Sequence, residues 1–397
     1  METPRQVAIL SAVRTPIGKY GGALKDFPPT TLAASVVRES IRRAAISPQD
    51  VGHVVFGNVI HSEARDMYLS RVAAVQGGVP VEAPALTINR LCGSGLQAII
   101  SAGQMIRLGD TKVAVAGGAE SMSRAQYWLP NMRWGQRMSD ASVVDSMVAA
   151  LTDPFDGVHM GVTAENVASK WGISRQDQDA LAVESHRRAT DAIKHCVFKE
   201  QILPVEMKSK NAVAIFDTDE QPRSDATLEA LSKLKPVFDK DGTVTAGNAS
   251  GLNDGAAAVV LMEKSAAAER SLRPMGVLVD YTLAGVEPKY MGIGPVPAVR
   301  KLLDKTGLTV DDIDIFEVNE AFAAQALAVV RELGLPPEKT NPHGSGIALG
   351  HPIGATGAIL AVKALYELKR IRGRYAIVTM CIGGGQGIAA LLERTDS

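Results

Sequence analysis

The sequence predicts a duplicated α/β fold: two layered halves related by a pseudo-two-fold axis, with one long insertion. Three observations predict it. Short apolar runs that end in glycine alternate with amphipathic runs, the pattern of strands and helices in layers. One segment order occurs twice. Between these copies, from Ser121 to about Ser250, the texture shifts to tryptophan, methionine and polar residues.

In chain order, residues 6–11 form an apolar strand followed by the loop Ala12-Val-Arg-Thr-Pro-Ile-Gly18. Thr30 or Thr31 then caps a helix to about Ala45. Residues 54–58 give a second strand, and a helix bearing Tyr68, Leu69, Val72, Ala73 and Gln76 stops at Gly77-Gly78. An apolar run delivers Cys92 to a Gly-Ser-Gly turn, where a helix starts with Leu96, Ile99, Ile100 and Gly103 on one face and ends near Gly109. Residues 112–116 form a strand closed by Gly117-Gly118. In the insertion Ser174 caps a helix through Arg187, and residues 253–262 return to strand. Long insertions that are not disordered are usually functional.

The repeat sets the architecture. Ala45-Ile-Ser-Pro-Gln-Asp-Val-Gly-His-Val-Val-Phe-Gly-Asn58, a helix and Gly78-Val-Pro80 answer Gly307-Leu-Thr-Val-Asp-Asp-Ile-Asp-Ile-Phe-Glu-Val-Asn-Glu320, a helix and Gly334-Leu-Pro336. Residues 113–118 likewise answer residues 376–384. Ligands favour the carboxyl ends of such strands, where loops of both halves meet.

Composition narrows the chemistry. The 397 residues are 46% hydrophobic and 21% charged with a formal net charge of −1, which argues against nucleic acid as a partner. Cys92, Cys196 and Cys381 are far apart and odd in number, so neither a disulfide frame nor a zinc knuckle is expected. The histidines other than His159 and His351, namely His53, His61, His186, His195 and His343, lack metal-ligand spacing. No apolar run approaches the roughly 20 residues that cross a bilayer, and neither a signal core nor a peroxisomal address is visible. A reducing cytoplasm is the expected location.

Four loops after strands carry reactive groups: that of Cys92, Val318-Asn-Glu-Ala-Phe-Ala323, Ala348-Leu-Gly-His-Pro-Ile-Gly-Ala-Thr-Gly357 and Thr379-Met-Cys-Ile-Gly-Gly-Gly-Gln-Gly387. Two thiols, an imidazole and an amide are what acyl transfer through a thioester with a proton abstraction needs. Cys92 at a helix start is expected to have a lowered pKa. Taken singly, each has a plainer reading: Cys92 and Cys381 as core thiols, His351 as a satisfied core histidine, Asn319 as a helix cap. Cys196 lacks a glycine context and reads as structural or surface. The glycines of residues 383–387 lie too near the end for a dinucleotide-binding βαβ unit. They suit backbone N–H groups approaching an oxyanion.

Jointly, Asn89-Arg-Leu-Cys-Gly-Ser-Gly95, Thr245-Ala-Gly-Asn-Ala-Ser-Gly-Leu-Asn-Asp-Gly255, Asn319-Glu-Ala-Phe-Ala323, Gly350-His-Pro-Ile-Gly354 and Cys381-Ile-Gly-Gly-Gly-Gln-Gly387 resemble the thiolase family over essentially the whole chain. The resemblance implies two βαβαβαββ halves in an α/β/α/β/α layering with an inserted loop domain. Its implied division is residues 1–120 plus 251–275, the insertion 121–250, and residues 276–397. The stretch Asn58 to Ala74 and the Gly344-Ser-Gly-Ile347 variant resemble the tetrameric bacterial β-ketothiolases of polyhydroxyalkanoate synthesis. The expected assembly is a homotetramer, a dimer of dimers.

The resemblance also implies roles. Cys92 would take the acyl group, His351 would activate it and form one oxyanion hole with a water held by Asn319, and Cys381 would be the acid/base. The N–H groups of Cys92 and Gly383 would form the second hole. Coenzyme A thioesters would be substrates, with no prosthetic group or metal. Ser250, Phe238, Leu252, His159 and Met160 would follow the pantetheine. Leu151, Arg223, Thr227 and Ala246 would contact the rest of coenzyme A, and Phe322 and Met291 would wall the acyl pocket. His343-Gly-Ser-Gly346 and Gln126-Tyr-Trp128 depart from the familiar Asn-Gly-Gly-Ala and Ala-Pro-Tyr, which bears on acyl-chain length. A decarboxylating ketosynthase, which has no need of the Cys381 thiol, and a non-catalytic acyl-CoA-binding protein are the alternatives.

Overall fold

The computed structural model describes residues 5–208 and 213–395. Its main sheet contains β1 (Val7–Arg14), β2 (Gly18–Lys19), β3 (His53–Gly57), β4 (Ala85–Ile88), β5 (Val113–Ser121), β6 (Asn253–Glu263), β7 (Gly276–Gly285), β8 (Ile315–Val318), β9 (Tyr375–Ile382) and β10 (Gln386–Arg394). The order is β8-β9-β10-β7-β1-β6-β5-β3-β4, with β2 on β6. The two halves meet where Val7, Ala8 and Ile9 pair antiparallel with Leu278, Val277 and Gly276. Away from that seam both halves run alike: two antiparallel pairings, then a parallel one, β5 with β3 and β9 with β8. Even the parallel partner β4 has a vestige in the second half, a parallel bridge between Phe316 and Thr340.

The helices are α1 (Pro29–Arg43), α2 (Leu69–Gly77), α3 (Ser94–Leu108), α4 (Met160–Trp171), α5 (Arg175–Lys194), α6 (Pro295–Thr306), α7 (Ala323–Leu333) and α8 (Thr356–Ile371). Alternation on β6 shows the layering. Ala257, Val259 and Leu261 face a central core shared with α3 and α8, while Ala256, Ala258, Val260 and Met262 face an outer core with α1 and α2. A third core packs α6 and α7 on the outer face of β8 to β10. Both sheet faces are therefore dry, and a helix layer lies between the halves. The α/β/α/β/α expectation holds.

Several boundaries differ from the sequence reading. β1 continues to Arg14, which is fully buried yet neutralised by both carboxylate oxygens of Asp219 at 2.7 and 2.9 Å. α1 starts earlier than a threonine cap would place it. Pro28 caps it and Pro29 supplies the first residue, whose missing N–H costs nothing there. β5 does not stop at Gly117-Gly118 but runs to Ser121. The glycines serve close approach, since a β-carbon on Gly118 would lie 2.1 Å from the Gly354 oxygen. α5 keeps its Ser174 cap, reciprocated by Asp177, but extends to Lys194. α2 and α3 end on Gly78 and Gly109 at φ 94° and 87°, as left-handed caps require.

Candidate active site

Cys92 sits between β4 and α3. Leu91 before it takes φ +45°, an uncommon conformation for leucine, and Asn89 Oδ1 holds the Leu91 N–H at 2.9 Å. Gly93 caps the helix, so Cys92 precedes the cap. The expected lowering of its pKa is overturned. Burial pushes the thiol up to about 11, and the charge of Glu120 adds to this, while the N–H groups of Gly383 and of Cys92 itself pull the other way. Two backbone donors and a helix start are not enough to offset lost solvation.

Cys381 lies near the end of β9, 1% exposed, and its thiol is raised further by burial and then by the neighbouring Cys92. His351 is buried, and burial lowers it to about 4, so the ring is neutral at physiological pH. Its Nδ1 is 2.6 Å from Thr356 Oγ1, its Nε2 is 3.3 Å from Asn319 Nδ2, and its backbone N–H donates to Asn253 Oδ1 at 2.9 Å. Gly350, at φ +104°, permits this turn; a β-carbon there would meet the Asn253 carboxamide at 2.4 Å. Asn319 is fully buried, and among the described residues its Oδ1 has no hydrogen-bond partner. It touches the imidazole rather than the open cavity.

One cavity of about 390 Å³ collects Cys92, His351, Cys381 and Gly383. Leu151, His159, Met160, Phe238, Ala246, Ser250, Leu252, Met291 and Phe322 also line it. His159 caps α4 by accepting from the Gly161 N–H at 3.0 Å and stacks on Phe238 at 4.6 Å between ring centroids. Phe238 in turn meets Phe322 edge-on at 6.2 Å. The Ser250 N–H donates to the Ala321 oxygen at 2.9 Å, which fastens the insertion to the second half.

Besides Asn319, two expected residues are not part of this lining. Arg223 is exposed with its guanidinium 3.5 Å from Asp225, and Thr227 caps the short helix Leu228–Ser232. The sequence reading missed Leu91, Met122, Met147, Val148, Val237 and Ile353, all in the cavity wall. Met122, Ile353 and Ile60 form an apolar cluster against which Cys92 packs. The methionine-rich texture after Ser121 was the available signal.

Two thiols, a neutral imidazole and backbone N–H groups on one apolar cavity, lined from both halves of a duplicated α/β fold, define an acyltransferase. The models for the thiolase N-terminal and C-terminal domains match residues 7–265 and 272–394. The chain belongs to the thiolase family. It is 64% identical to the β-ketothiolase BktB of Cupriavidus necator over 98% of this chain and 99% of that one. It is 46% identical to the cytosolic acetyl-CoA acetyltransferase of Rattus norvegicus over 98% of each. Among solved structures, the Bacillus anthracis acetyl-CoA acetyltransferase superposes with a TM-score of 0.97 at 46% identity over the full length of both chains. Human mitochondrial 3-ketoacyl-CoA thiolase in complex with CoA gives 0.96 at 44%, covering 99% of this chain and 98% of that one.

Proposed function

We propose that this thiolase joins a short acyl-CoA to acetyl-CoA in a reversible Claisen condensation, or cleaves β-ketoacyl-CoA, by a ping-pong route through an acyl-cysteine at Cys92. The observation that carries the reading is the meeting of Cys92, Cys381, His351 and Gly383 on one cavity whose walls are largely apolar. Neutral His351 takes the thiol proton as Cys92 attacks the thioester carbonyl, and the N–H groups of Cys92 and Gly383 stabilise the oxyanion. Cys381 gives its proton to the departing coenzyme A thiolate. As a thiolate it then removes the α-proton of acetyl-CoA, and the enolate attacks the acyl-cysteine. The expelled Cys92 thiolate recovers the proton held by His351, so the cycle balances. A second oxyanion hole of His351 and an Asn319-held water would serve the enolate, and the unpartnered Asn319 Oδ1 suits a polar site that water completes.

Coenzyme A would follow Ser250, Leu252, Phe238, His159 and Met160, with Leu151 and Ala246 beside it and Arg223 and Thr227 near its outer end. Phe322 and Met291 would bound the acyl group. Residues 1–120 with 251–275, 121–250 and 276–397 are proposed as the three structural units. A homotetramer is supported by the exposed apolar side chains of Tyr127, Trp128, Met132, Trp134 and Met138 on the insertion. Cytoplasmic location and a place in polyhydroxyalkanoate synthesis rest on the resemblance. Among the described residues no helix is long and apolar enough to cross a membrane.

The test is acyl transfer. Cys92→Ser should no longer trap a radiolabelled acetyl group from acetyl-CoA, and a variant that still does so would sink the assignment. Cys381→Ala should be acetylated yet fail to condense; equal loss of both half-reactions would count against its role. Thiolysis rates over β-ketoacyl-CoA substrates of increasing length would fix the chain preference.

A further inference from the structure

The registers of the two halves place a second, buried cluster opposite the active one. Gly57 pairs with Gly118 on β3 and β5, and Val318 pairs with Thr379 on β8 and β9. Counting outward from these matched pairs, Asn58 is the counterpart of Asn319 and Glu120 is the counterpart of Cys381. Where the second half offers a thiol, the first half holds a carboxylate with no exposure.

Glu120 is held from two loops. Oε1 accepts from Asn58 Nδ2 at 3.0 Å and the Ile60 N–H at 3.2 Å; Oε2 accepts from the Val59 N–H at 3.1 Å and the Gly354 N–H at 2.9 Å. Among the described residues no Lys or Arg forms an ion pair with it. Burial pushes the carboxyl up to about 8 even though the N–H groups of Ile60, Val59 and Gly354 pull it down, and the charge of Asp66 raises it further. All four contacts are donors, so both oxygens are used as acceptors and together they tie the side chain to two loops. The loops it fastens are those that shape the site. Ile60 and Ile353 pack on Cys92, Gly354 belongs to the His351 loop, and a β-carbon on Gly354 would lie 2.7 Å from Glu120 Oε2.

We infer that Glu120 is a positioning residue whose carboxyl joins the loop walling Cys92 to the loop carrying His351. This rests on the assignment of Cys92 and His351 above. The cluster is thus the non-reactive counterpart of Asn319 and Cys381, put to structural use.

Glu120→Asp in the full-length chain keeps two acceptor oxygens but shortens the tie, and Glu120→Gln keeps the length but turns one acceptor into a donor facing N–H groups. In both, kcat should fall about tenfold at nearly unchanged KM, because the His351 loop shifts against Cys92 while the rest of the cavity stays. If one variant does not fold, the other decides alone. Parental kcat in a folded variant overturns the inference, and so does a loss carried by KM alone. Failure of the thiolase reading would be seen separately, as wild-type chain that forms no acetyl-cysteine from acetyl-CoA.

Discussion

His351 Nδ1 lies 2.6 Å from Thr356 Oγ1, and the same hydroxyl lies 2.9 Å from the Pro352 carbonyl oxygen. A hydroxyl has one proton, and the carbonyl can only accept it. The imidazole therefore donates from Nδ1, which leaves the Nε2 lone pair as the base and aligns it with the Asn319 amide. Thr356→Val, nearly isosteric, removes the acceptor and frees the tautomer. Its kcat should fall by about tenfold or more, with KM little changed, and Thr356→Ser should restore it. Parental kcat in the valine variant would show that the ring is set by packing alone.

Gly118→Ala tests the close approach of the halves. The added carbon would stand 2.1 Å from the Gly354 oxygen and 2.9 Å from Ala355 Cα, both backbone atoms that cannot swing aside. Overpacking of this kind costs about 1–3 kcal/mol, and here it also displaces the loop after His351. A lower melting temperature together with reduced kcat is the expected result. A loss of stability with full activity would mean that the loop moves as a unit.

The same glycine shows what could be read in advance. Its position after an apolar run looked like a strand end, because glycine in sequence signals a turn more often than a tight contact across halves. The partner that needs the space, Gly354, is over 200 residues away and leaves no local mark. By contrast, the four reactive loops were legible because each follows a strand and carries its chemistry in a glycine-rich frame. The duplicated order of strand, loop and helix was legible for the same reason. The electrostatics of Cys92 were not. A helix start suggested an acidic thiol, and only packing against Ile60, Met122 and Ile353 reveals the desolvation that outweighs it.

Acid should destabilise the fold through Glu367. Burial raises this carboxyl, but hydrogen bonds from Arg370 at 2.6 and 2.7 Å and from His343 at 2.7 Å prevail and bring it down to about 2. A folded pKa below the unfolded value contributes stability above the unfolded pKa and loses it as pH falls through the folded one. The contribution is therefore full above about pH 4.5 and disappears toward about pH 2. Glu367→Gln should lower the melting temperature at pH 7 and flatten its decline over that window. An unchanged slope would assign acid unfolding to other groups.

The reactive pair itself makes the last prediction. Cys92 is pushed up to about 11 and His351 down to about 4, so between these values the resting state is thiol and imidazole, both neutral. Acylation then needs no titration to begin: the imidazole is already a base, the thiol already holds the proton to be moved, and the charges arise together as the carbonyl is attacked. The acetylation rate should be flat from roughly pH 5 to 9, since neither group changes state there. Alkylation by iodoacetamide draws on free thiolate, and its logarithm should climb steadily across the same range. A preformed thiolate–imidazolium pair would behave oppositely, with alkylation reaching a plateau near neutral pH. Observing that plateau in the wild-type chain would reject the neutral pair.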